Sequence, residues 1–199
     1  MTTRHGFIDE SVRPDGWYRL TMVDVAARDL GDVTKALRSI LPKGRQRLHF
    51  SAEGDSQRRR ILDALMRLPI SATTVAAPYH RGADEEPARR RCLENLVAGL
   101  DHAIVLLVLD SRGAHRDVGD RRVLRQALRR TDRADSVSYA HRGSSDEPLL
   151  GLPDAVGWSV GAGGYFAKEG RQQDAAGVPE PGGLIFLSGR GDNEGCPSH

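Results

Sequence analysis

Four carboxylates in this sequence share one place in the pattern: each closes an apolar run or opens an amphipathic one. Asp9 follows Phe7 and Ile8 in HGFIDES. Glu53 follows RLHFSA, Asp110 closes AIVLLVL, and Asp154 comes directly after Pro153, where a last helix begins. Strand ends along one edge of a sheet lie about 5 Å from their neighbours, so carboxylates gathered there repel one another unless a cation neutralises them. Their hard oxygen donors suit Mg²⁺ or Mn²⁺. Two such ions held by shared carboxylates form the usual device for phosphodiester hydrolysis. Asp9, Glu53, Asp110 and Asp154 are therefore the candidate metal ligands and catalytic acids.

A purely local reading competes with this one. Acids are favoured in the first turns of helices and in turns after strands. Glu53 and Asp154, each taken alone, fit that explanation. Asp110, behind seven apolar residues, fits it less well, and Asp9 ends a strand with nothing to cap. His49, four residues before Glu53, alternates with Leu48 and Phe50 and faces away from them. It reads either as a structural histidine or as an added ligand or general base. Arg112, Arg121 and Arg122 follow Asp110 closely enough to grip a phosphate beside the metals, although solvated helix faces account for arginine clusters equally well.

The elements that would position these groups alternate between strand-like and helix-like runs. RHGFID and GWYRLTMVDV read as two strands joined around Pro14-Asp15-Gly16, an antiparallel hairpin. Leu30, Val33, Leu37, Ile40 and Leu41 recur at helical spacing, as do Ile61, Leu62, Leu65 and Met66. RLHF reads as a short third strand between them, and ISATTVAA is rich in β-formers. Asp84 and Pro87 mark the start of a third helix. AIVLLVLD, apolar on both faces, suits the centre of a covered sheet. Residues 118–130 read as helical, SVSYAH as a strand, and Pro153 opens the final helix, in which Gly157 lets the chain lie close to the sheet. The fold class is α/β, a mixed sheet with an N-terminal antiparallel hairpin flanked by helices.

The chain of 199 residues accommodates one globular domain, expected over residues 1–164, and a Gly/Pro-rich tail over 165–199 in which LIFLS is the one patch able to add a strand. Basic and acidic residues nearly balance, 29 against 27, so net charge alone selects no partner. Two distant cysteines, Cys92 and Cys196, form neither a disulfide framework nor a zinc knuckle. A polar N-terminus and a longest apolar run of seven residues lead to the expectation of a cytoplasmic protein without a membrane span. Aromatic residues at 5% supply no stacking platform for a dedicated single-strand binder.

The order of these features resembles the RNase H-like nuclease superfamily. FIDES near the start, with PLLGLPDAVGWSVGAGG near the end, looks like a bacterial RNase H-like family whose members open on a DES strand and close on an Asp-bearing helix. The resemblance spans roughly residues 4–164. It implies that Asp9, Glu53, Asp110 and Asp154 are the carboxylates that hold Mg²⁺ or Mn²⁺, with nucleic acid, DNA or RNA, as the partner. Glu10 and Glu147 are alternatives for the place of Glu53. The function that follows is a divalent-metal-dependent nuclease using two metal ions. The alternative is a catalytically inactive RNase H-like binding or interaction module. Convergence of the acids on one cleft separates the two.

Overall fold

The computed structural model describes residues 2–41, 45, 47–161 and 185–188. In chain order the elements are β1 (Arg4–Val12), β2 (Trp17–Ala26), α1 (Leu30–Ile40), α2 (Asp55–Leu65), β3 (Ile70–Pro78), α3 (Glu86–Ala98), β4 (Ile104–Asp110), α4 (Ala114–Arg130), β5 (Ser138–Arg142), α5 (Gly151–Gly161) and β6 (Ile185–Ser188). They build the mixed α/β sheet flanked by helices that the sequence leads one to expect. Its strand order is β5-β4-β1-β2-β3-β6. β2 runs antiparallel to both β1 and β3, while β4 and β5 run parallel to β1. No described helix is long and apolar enough to cross a membrane.

The hairpin between β1 and β2 turns where the sequence has Pro14-Asp15-Gly16. Gly16 adopts φ 84°, a conformation that costs little only without a Cβ. The Asp15 carboxylate accepts the Trp17 amide at 3.2 Å and an Arg19 guanidinium at 2.6 Å, which holds the turn.

Each face of the sheet buries a separate core. Ile8, Leu20, Met22, Val75, Leu107 and Leu109 point to one side and pack beneath α3 and α4. Phe7, Val23, Val25, Ala72 and Val108 point to the other, beneath α1, α2 and α5. Strand alternation produces this division, and β4 is apolar on both faces because it lies inside the sheet with helices on both sides. Gly157 brings α5 close: a Cβ there would stand 2.9 Å from Thr21 Oγ1.

One expected strand is absent. Leu48 and His49 run irregularly into a 3-10 turn, Phe50–Ala52, and the third strand of the sheet is instead Ile70–Pro78. Leu48 and Phe50 are both buried, which reproduces the alternation of a strand. Two apolar residues spaced by two satisfy a loop pressed onto a core as well as they satisfy a pleat. In the C-terminal part, residues Ile185–Ser188 of the LIFLS patch pair antiparallel with β3. The rest of the expected tail, 165–184 and 189–199, lies outside the described residues.

Candidate metal centre

Asp9 does not end its strand as expected: β1 continues to Val12 because the hairpin pairing with β2 extends past it, so Asp9 and Glu10 are consecutive within the strand and face opposite ways. Asp9 continues the face of Phe7, toward α5, and Glu10 continues the face of Ile8, toward α3 and α4. Asp110 continues the face of Val108. In the parallel pairing of β1 with β4, Ile8 lies opposite Leu109, so Asp9 and Asp110 stand one step further along adjacent strands. α5 packs across β1 and β2 and brings Asp154, in its first turn, to the same place.

Electrostatics records this convergence. Burial pushes the Asp9 carboxyl up to about 8, and the charges of Glu10, Asp154 and Asp110 push in the same direction. Only the Glu10 amide, donating to Asp9 Oδ1 at 2.8 Å, opposes them. Burial likewise raises Asp110 and Asp154, and Asp154 raises Asp110 further. These two have some relief. The Ser111 and Ser144 amides donate to Asp110, the Phe50 amide donates to Asp154 Oδ2 at 2.8 Å, and the charge of Arg47 acts on both. Arg47 is exposed and donates to Ser144 Oγ at 2.8 Å. Among the described residues, no cation is one of the groups that act on Asp9.

The other residues proposed from sequence lie in different surroundings. His49 is exposed, immediately before Phe50, and its charge favours ionised Asp154. Glu53 is buried and accepts Arg45 Nη1 at 2.8 Å. It is not among the groups acting on the other three carboxyls. Arg112 is held by Glu86 at 2.9 Å and by Asp120 at 3.3 Å beneath the opposite face, and Arg121 and Arg122 lie exposed on α4, the helix of that face. The phosphate grip expected of these three is therefore directed away from the acids. Glu147 caps the 3-10 turn Pro148–Leu150 by accepting the Leu149 amide.

Sequence reasoning missed the polar network on that opposite face. Arg89, 1% exposed, donates to Glu10 at 2.8 Å, to Tyr18 Oη at 3.0 Å, and to Asp120 through Nε and Nη2. His141 Nε2 lies 3.2 Å from Asp120. Oxygen and nitrogen donors of Asp117, Asp120 and His141 approach within 4.8 Å of one another, a spacing that would admit a metal ion. The two carboxylates already have partners: Asp120 accepts two arginines, and Asp117 accepts the Ser111 hydroxyl and the Arg112 amide, while His141 Nδ1 is buried without a hydrogen-bond partner among the described residues. Burial raises the Asp120 carboxyl, but the bonds from His141 and Arg89 outweigh it and leave the group well below the ordinary carboxylate range. In this cluster Asp120 is held by two arginines, and Asp117 makes no ion pair among the described residues. The available signal was the alternation that separates Glu10 from Asp9. The partner, Arg89, sits in a run of three arginines in which its neighbours Arg90 and Arg91 are exposed.

No protein-family model matches this chain, and no curated protein matches it. Among solved structures it is similar to a mutant protein of Bst-RNase HIII, with 16% identity and TM-score 0.48, covering 86% of this chain and 54% of that one. It is similar in the same way to Bst-RNase HIII in complex with Mn²⁺, with 16% identity, TM-score 0.47 and the same coverage. It is also similar to the PCNA:RNase HII complex from Archaeoglobus fulgidus, with 9% identity and TM-score 0.47, covering 80% of this chain and 72% of that one. The chain thus spans about half the length of the RNase HIII chains it resembles.

Proposed function

We propose that the chain is a divalent-metal-dependent phosphodiester hydrolase acting on nucleic acid, with Asp9, Asp110 and Asp154 as its metal-binding carboxylates. One observation carries this reading: three acids from β1, β4 and α5 converge, and burial among like charges lifts Asp9 to about 8. A carboxyl so placed is poorly stabilised as an anion by the protein alone. Hard oxygen donors with that deficit of positive charge fit Mg²⁺ or Mn²⁺. A bound divalent ion would supply charge stabilisation for a phosphoryl oxygen and acidify a coordinated water.

The chain's own residues supply the rest. Asp9 and Asp110 sit on the two adjacent strands of a rigid sheet, which holds their separation constant. The Phe50 amide orients Asp154 by occupying Oδ2. His49 and Arg47, exposed beside these acids, are the groups placed to handle a proton and to meet a phosphate respectively. Glu53, already bonded to Arg45, is left out of the donor set.

The test is cleavage of labelled single-stranded and duplex DNA and RNA with Mn²⁺ or Mg²⁺, for the parent and for Asp110→Asn. The parent is expected to cleave only with metal, and Asp110→Asn to lose about a thousandfold or more, as for removal of a charge that acts in the transition state. A parent inactive on all substrates, whose melting temperature ignores millimolar Mn²⁺, would support the inactive binding module instead.

A further inference from the structure

A groove of about 550 Å³ opens on the same face of the sheet as the three acids. Phe7, Leu106, Val108 and Leu149 form its apolar floor. One side of α1 forms its wall, with Leu30, Thr34 and Arg38 at helical spacing and Gly31 and Lys35 beside them. Phe7 and Val108 precede Asp9 and Asp110 by two residues in the same strands, so the floor leads into the acid cluster about 7 Å further on. Lys35 and Arg38 are exposed at the rim, and neither makes an ion pair among the described residues. Glu147 is the one carboxylate of the lining among the described residues, and its Oε1 is occupied by the Leu149 amide at 3.2 Å.

The volume falls within the range of clefts that enclose small ligands. Its chemistry is divided: an apolar floor, in which Leu106 is part-exposed above the nearly covered Phe7 and Val108, with positive charge at one side that makes no ion pair among the described residues, opening onto the proposed site for phosphodiesters. We propose that this groove binds one unpaired nucleotide, with the base on Phe7, Leu106 and Val108 and a phosphate against Lys35 and Arg38. A base inside a duplex has its faces stacked and its pairing edge engaged, so it cannot enter such a groove without leaving the helix. The substrate class is therefore a single strand, or a strand with a base locally unpaired. This inference deepens the nuclease reading and rests on it for the direction of the strand across the acids.

Gly31 provides a test that spares the fold. A Cβ added there meets nothing within 4 Å, so a larger side chain projects into the groove without displacing protein. Leucine is also a better helix former than glycine. Binding of one oligonucleotide sequence, as single strand and as duplex, is measured by fluorescence anisotropy without metal. The proteins are the parent, Gly31→Leu, and Lys35→Gln combined with Arg38→Gln. Nucleoside 5′-monophosphate and ribose 5-phosphate serve as competitors. The expected result is a single-strand preference in the parent and about tenfold weaker single-strand binding in each variant, with the melting temperature of Gly31→Leu unchanged or raised. Competition by the monophosphate at concentrations comparable to the oligonucleotide would assign the same chemistry to free nucleotides, and weak competition would assign it to the strand. Equal competition by ribose 5-phosphate, a duplex preference, or unchanged binding in Gly31→Leu would overturn the proposal. Failure of the nuclease reading is seen separately, as absence of Mn²⁺-dependent cleavage in a parent that still binds single strands.

Discussion

Asp9 and Glu10 are chain neighbours with the same chemistry, yet the two faces of the sheet treat them differently. Beneath one face Glu10 shares Arg89 with Asp120 and Arg112 links Asp120 to Glu86, so two guanidinium groups hold three carboxylates. Beneath the other, Asp9 meets Asp110 and Asp154; among the described residues, exposed Arg47 acts on the latter two and exposed His49 on Asp154. The paired cluster brings donor atoms of Asp117, Asp120 and His141 within 4.8 Å of one another, and arginines already hold Asp120 there. Among the described residues no cation acts on Asp9, and on the proposed reading an external cation would take that place.

The largest test of this contrast is Arg89→Met. It leaves Asp120 and Glu10 buried without their main partner, and breaking one side of a buried pair costs about 3–5 kcal/mol. Urea denaturation should show that loss, independent of Mn²⁺. A loss under about 1 kcal/mol would mean the network is far more hydrated than its geometry implies.

The second concerns Asp9, whose carboxyl is raised from 3.8 to about 8. Its proton favours the folded state, so that contribution is complete below about pH 4 and is lost as pH rises through about 8. Metal competes with the same proton, so Mn²⁺ stabilisation should strengthen over that interval. At a hundredfold excess over its dissociation constant the ion adds about 2.7 kcal/mol. Asp9→Asn should lose this gain and be more stable than the parent at pH 8 without metal. An Asn variant that keeps the full Mn²⁺ response would remove Asp9 from the site.

Gly157→Ala comes next. The new methyl would stand 2.9 Å from Thr21 Oγ1, which is itself hydrogen-bonded to Thr74, so α5 must shift and take Asp154 with it. Overpacking of this kind costs about 1–3 kcal/mol, and the Mn²⁺ response should weaken as well. Thermal unfolding with and without Mn²⁺ separates the two effects. The smallest change is expected for Glu53→Gln, which removes one ion pair to a half-exposed arginine and should cost about 1 kcal/mol or less, with the Mn²⁺ response intact. If that response disappears instead, Glu53 returns to the ligand set.

Much of the frame was legible. The Pro14-Asp15-Gly16 turn marked β1 and β2, an unbroken apolar run marked β4, helical spacing marked α1 and α2, and Asp84 with Pro87 marked α3. Asp110 at a strand end and Asp154 in a first turn could be read from local pattern, whereas Asp9 was read as a strand end and lies inside β1. RLHF was misread because a buried loop and a strand can share the same alternation over four residues.

The amino-acid sequence by itself determined that carboxylates stand in β1, at the C-terminal end of β4 and at the start of α5, and that Asp9 and Glu10 must face opposite sides. The tertiary structure alone decided which acids meet which charges. Arg89 reaches Glu10 across 79 positions and Asp120 across 31, while Asp154 reaches the Phe50 amide across 104. Spacing along a chain fixes direction only within an element, whereas neutralisation of a charge depends on distance in space, and that distance is set by how the helices close over the sheet.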